Sequence, residues 1–103
     1  MPIADLFEAL CSHLDDELER QENVLALTRA QGRAARTYDL EGLEAKTTAL
    51  NLLIQEAVDA EPERLRLVRE LVDACALPPE RQTFSGLIES APEPWRSRMC
   101  DFR

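Results

Sequence analysis

His13 is the only histidine of the chain, which makes it the first residue to test for acid-base or metal chemistry near neutral pH. It stands alone there, because no second histidine exists and no cysteine pairs with it at the spacing that tetrahedral zinc takes. Its helical phase sets it away from the apolar stripe traced below, which reads as a solvated surface residue. Asp15 and Asp16 are adjacent, and adjacent residues of a helix point to different sides, so they read as a solvated acidic face and not as paired carboxylates. Gly32, Gly42 and Gly86 are isolated, which excludes a glycine loop that cradles phosphate. Cys11, Cys75 and Cys100 form an odd set without C-x-x-C spacing. Cys11 and Cys75 fall on or beside apolar stripes and read as small buried hydrophobes. The sequence therefore supports no catalytic site, no cofactor and no metal.

The elements behind these residues are helical. Ile3, Phe7, Leu10, Leu14, Leu18 and Leu25 recur at three-, four- and seven-residue steps, and so do Leu40, Leu43, Leu50, Ile54, Val58, Leu65, Val68, Val72 and Cys75. The two stripes, separated only at Tyr38-Asp39-Leu40, predict an antiparallel hairpin of helices over about 3–37 and 40–76. Acids early in the first helix and Arg29, Arg33 and Arg36 at its end suit the helix dipole. Asp39 is the expected N-cap of the second helix. Gly32 falls on the expected core stripe, where a missing side chain would let the opposing helix approach. Pro62 removes one backbone donor, yet the stripe keeps its phase across it, which predicts one kinked helix. Pro78-Pro79 ends that helix, Thr83 offers a cap for a short helix over about 84–90, and Pro92 and Pro94 precede a last one over about 94–103. The expected fold is all-α, an elongated antiparallel, coiled-coil-like hairpin with a short C-terminal helical segment, in a single domain of residues 1–103.

Composition narrows the class further. A lone chain of 103 residues buries only about 60–65% of its unfolded surface, so a second copy or a bound partner is expected to supply more core. Net charge is −8, with 13 acids and 5 bases in residues 1–61 against seven of each in 62–103. That balance repels phosphate backbones and anionic lipid, which argues against nucleic acid and against membrane insertion. With no apolar run long enough to span a bilayer and no leader-like segment, a cytoplasmic location is expected.

Some apolar residues fall off the main stripes. Val24, Leu27, Ala34 and Tyr38 form a second strip on the first helix, and Leu52 and Leu67 are displaced on the second. Two readings account for them: packing against residues 84–95 folded back on the hairpin, or a groove for an amphipathic helix of another protein. Trp95 divides the same way, as an internal anchor or a partner contact. On the second reading the protein-binding residues are Val24, Leu27, Tyr38, Leu87, Ile88 and Trp95.

The order of local motifs resembles that of the flagellar export chaperones of the FlgN type. The similar stretches are Leu14-Asp15-Asp16-Glu17-Leu18, Tyr38-Asp39-Leu40-Glu41-Gly42-Leu43 with Glu44-Ala45-Lys46 after it, Leu77-Pro78-Pro79, Thr83-Phe84-Ser85-Gly86-Leu87-Ile88 and Ala91-Pro92-Glu93-Pro94. They cover almost the whole chain, and their order and spacing carry the likeness, each motif being made of common helical residues. The resemblance implies a cytosolic chaperone that binds the C-terminal helical segments of hook-associated, or hook-filament junction, proteins before type III export. It also implies delivery to the flagellar export gate. Members of that family usually continue into a long C-terminal helix associated with client and gate contacts. This sequence ends at Arg103, where that helix would start, so no binding residue is carried over from it. The reading from a different class is a structural coiled-coil adaptor or dimerisation module.

Overall fold

The computed structural model describes residues 2–102, and the chain is 84% helical with no strand among the described residues. Two long helices, α1 (Ile3–Arg36) and α2 (Leu40–Ala74), pack against each other as a hairpin. A single 3-10 turn, Pro79–Arg81, then leads to the short helices α3 (Phe84–Ser90) and α4 (Trp95–Cys100). Of the last helix expected over 94–103, Arg103 lies outside the described residues.

The turn between the long helices is built from two interlocking caps. Tyr38 takes a left-handed backbone, φ 57°, its N–H donates to the Ala35 carbonyl and the Asp39 N–H donates to the Ala34 carbonyl. This pair of bonds closes the C-terminus of α1. Asp39 also starts α2, where its Oδ1 accepts from the Gly42 N–H at 2.9 Å. The end of α2 repeats the first motif with Ala76 at φ 52°, and Leu77 N–H reaches back to the Val72 carbonyl. Leu77 and Val72 are both buried, which is the apolar contact that accompanies such a cap. Within α2 the helix is unbroken at Pro62.

The chain, read above as one domain, packs as two compact units. In the first, residues 2–15 and 62–102, the core holds Leu6, Phe7, Leu10, Cys11 and Leu14 of α1 with Leu67, Leu71 and Val72 of α2. Leu77, Leu87, Ile88, Ala91 and Met99 complete it. The Thr83 hydroxyl caps α3 by accepting from the Gly86 N–H at 3.1 Å. Gly86 is required at its place, because a Cβ there would run into the Arg81 carbonyl.

The second unit, Asp16–Glu61, is built differently. Its seam consists of half-buried residues: Glu17, Arg20, Val24, Leu27 and Gln31 of α1, with Ala34 fully buried, against Leu43, Thr47, Leu50, Leu53, Ala57 and Ala60 of α2. The α1 positions alternate three- and four-residue steps, the spacing of a coiled-coil seam. Gln31 Nε2 donates across it to Thr47 Oγ1 at 2.8 Å, and Arg20 Nε lies 3.9 Å from Glu56.

That seam corrects the phase expected from hydrophobicity. Leu18, Leu25, Ile54 and Val58, placed in the hairpin core by the stripes, are exposed, whereas Val24 and Leu27, placed off it, line the seam. Ile3, Leu40 and Leu65 are exposed as well. Gly32 is not a point of close approach, since a Cβ there would meet only the Arg36 side chain, at 3.4 Å. The reason lies in residue type. Beside Val24, Leu27, Leu43, Leu50 and Leu53 this seam holds Glu17, Arg20, Gln31, Thr47 and three alanines, which a hydrophobicity count passes over.

Candidate protein-binding site

The six residues expected to bind a partner divide between the two units. Leu87 and Ile88 point into the core of the first unit and present no surface, because Thr83 and the short α3 turn them inward. Trp95 is half-buried against that core, stacked on Phe7 with ring centroids 6.2 Å apart, and its Nε1 donates to Glu8 at 2.8 Å. It is an internal anchor in this structure. In the second unit Val24 and Leu27 are half-buried in the seam, while Tyr38, at 88% exposed, stands out from the turn.

A polar clamp fastens α4 to α1 around Trp95. Arg98 donates to Glu8 at 2.8 Å and to Asp15 at 3.2 Å, and Arg96 donates to the carbonyls of Ala91 and Glu89. The hydrogen bond from Trp95 holds the Glu8 carboxyl below its ordinary range. Partial desolvation opposes that effect, and the charge and hydrogen bond of Arg98 add to it.

His13 is not the solvated residue expected. It is half-buried at a position in step with Leu10 and Glu17, and its Nδ1 is shielded from solvent with no hydrogen-bond partner among the described residues. Cys11 is buried and Cys75 half-buried, and burial pushes both thiols up, away from the reactive thiolate. Cys100 is exposed. Among the described residues no group of three histidine, cysteine or acidic side chains is placed to hold a metal ion, and no helix is long and apolar enough to cross a membrane.

Most of the outward-facing apolar residues are ones that hydrophobic patterning assigned to the core stripes, Tyr38 and Leu52 being exceptions. In the second unit Leu18 and Leu25 of α1 and Ile54 and Val58 of α2 lie one residue beyond seam positions Glu17, Val24, Leu53 and Ala57. With Glu17, Arg20 and Gln31 among the α1 seam positions, no apolar repeat in the sequence marked that seam and left these residues to the surface. Such a surface has no chemistry of its own; it can hold apolar side chains of another helix. Comparison with known proteins found no matching family model, no matching curated protein and no matching solved structure.

Proposed function

We propose that this chain is a cytoplasmic chaperone of flagellar type III export that binds the C-terminal helical segments of hook-associated proteins and hands them to the export gate. The observation that carries the reading is the set of large apolar side chains that the second unit leaves uncovered, Leu18, Leu25, Tyr38, Leu40, Leu52, Ile54 and Val58, on a helical hairpin. The FlgN-like order of motifs names the client class. No catalytic step, cofactor or metal belongs to this function. The test is calorimetry against C-terminal segments of hook-associated proteins encoded in the same genome. Binding with a negative heat-capacity change is expected, as apolar surface is buried.

The second reading, a coiled-coil adaptor or dimerisation module, is favoured by the regular seam spacing of α1. Absence of binding to every hook-associated segment, together with a stable dimer in sedimentation, would make it the better account.

A further inference from the structure

We infer that the side of α1 turned away from α2, over residues 18–33, pairs with the same side of α1 in a second copy of this chain, antiparallel about a two-fold axis between Leu25 and Ala26. This goes beyond the proposed function and does not depend on it. The contact is made by α1 alone and leaves Ile54 and Val58 of α2 free for a client.

The seam fixes which residues lie on that side. Its α1 positions 17, 20, 24, 27, 31 and 34 follow a heptad, so Glu22 and Arg29 point straight away from α2. Leu18, Leu25 and Gly32 lie about 50° to one side of that line, and Glu19, Ala26 and Arg33 about 50° to the other. Gly32 is half-buried and the other seven are exposed. Asp16, Glu17 and Arg20 lie at or beside the seam and take no part.

Within one chain these charges are badly placed. Glu19 and Glu22 are three residues apart and Arg29 and Arg33 four, spacings at which like charges destabilise a helix. Glu22 and Arg29 are two turns apart, about 10 Å, too far to pair. None of the four side chains makes a hydrogen bond or ion pair among the described residues. The helix dipole accounts for Arg33 alone, since it acts in the first and last turns and α1 runs from Ile3 to Arg36.

A reversed second copy resolves the conflict. Reversal about the point between Leu25 and Ala26 exchanges 18 with 33, 19 with 32, 22 with 29 and 25 with 26, so the set maps onto itself. On the centre line Glu22 then meets Arg29 of the second copy. The two-fold keeps each flank on its own side. On one flank Leu25 meets its own counterpart and Leu18 covers Gly32; on the other Glu19 meets Arg33 and Ala26 meets itself. Every ion pair occurs twice. A partner helix of a single sign would satisfy one end of the stripe and be repelled by the other, whereas the stripe reversed is complementary at both. The two α2 helices stand about 25–30 Å apart in this arrangement, more than twice the screening length at 0.1 M salt, so the net charge of −8 does not oppose it.

The stripe is about 24 Å long, which places the dimer in the weak class, dissociating in the micromolar range. Sedimentation equilibrium of the whole chain from about 1 μM to 1 mM should show monomer and dimer in exchange, shifted toward monomer by added salt. Arg29→Glu and Glu22→Arg each set like charges on the centre line and should weaken the dimer by about tenfold or more. Each also removes a like-charge pair within α1, so neither should lose helicity. The double variant Glu22→Arg/Arg29→Glu should recover the dimer, and an equimolar mixture of the two single variants should form a heterodimer. A monomer at every concentration overturns the inference, as does a dimer indifferent to both single reversals or one that neither the double variant nor the mixture restores. A dimer dissolved by Ile54→Glu and not by Arg29→Glu gives the contact to another face and overturns it as well.

Discussion

Leu25 and Leu27 of α1 stand two residues apart, and the hydrophobic stripe and the packed seam assign them opposite roles, so a pair of aspartate substitutions separates the two assignments. Leu27 is half-buried against α2, and replacing it removes about 2 kcal/mol of apolar burial. A further cost of about 1–2 kcal/mol arises from holding a carboxylate in the apolar seam. Leu25 is 50% exposed, so its replacement forfeits only about half of the burial term, near 1 kcal/mol, and leaves the new carboxylate in water. Both changes share the same small loss of helix propensity, about 0.5 kcal/mol. The expected penalties are therefore about 4 kcal/mol for Leu27→Asp and about 1.5 kcal/mol for Leu25→Asp. For a domain of this size 1 kcal/mol moves the midpoint by about 4–8 °C, so the drop in Tm should be at least twice as large for Leu27→Asp. Far-UV circular dichroism melts of the two variants measure it. Equal drops, or a larger one for Leu25→Asp, would return the leucine stripe to the seam and refute the packing described here.

Two glycines should respond to alanine with opposite signs in urea unfolding. Gly86→Ala places a methyl against the Arg81 carbonyl and is expected to destabilise by about 2–3 kcal/mol, while Gly32→Ala meets only the Arg36 side chain and should stabilise by about 0.5–1 kcal/mol. Because Trp95 is the only tryptophan, its fluorescence reports the clamp at Glu8 directly. The Glu8 carboxyl is held below its ordinary value of 4.5, so its contribution is complete above that pH and fades as the pH falls through the lowered value. Glu8→Gln should remove this acid limb from the fluorescence titration, and an unchanged limb would assign it to another group.

Much of the fold was legible because its signals are local. Asp39 and Thr83 announce their caps by side-chain chemistry, and Pro78-Pro79 cannot continue α2, so boundaries followed from residue type. Phe7, Leu10 and Leu14 were legible as core because that unit covers them with large residues of α2, α3 and α4. What the pattern hid was the rotation of the helices in the second unit. There Glu17, Arg20, Gln31 and Thr47 share the seam with Ala34, Ala57 and Ala60, and such positions give too weak a hydrophobic signal to outvote Leu18, which follows Glu17, and Val58, which follows Ala57. Leu87, Ile88 and Trp95, left in the sequence between internal packing and partner contact, were undecided for a complementary reason: only tertiary packing shows that α3 and α4 turn them toward α1 and α2.

The two caps that share Asp39 set the limits within which the hairpin can change length. One residue added between Tyr38 and Asp39 breaks both caps at once and rotates α2 by about 100° against α1. Such a rotation removes Leu53 and Ala57 from the seam and brings the flanking positions into it. A gain of seven residues in each arm, by contrast, preserves the turn and restores the phase of both helices. Lineages of this hairpin should therefore tolerate matched heptad-sized insertions in the arms and reject single-residue insertions at the tip.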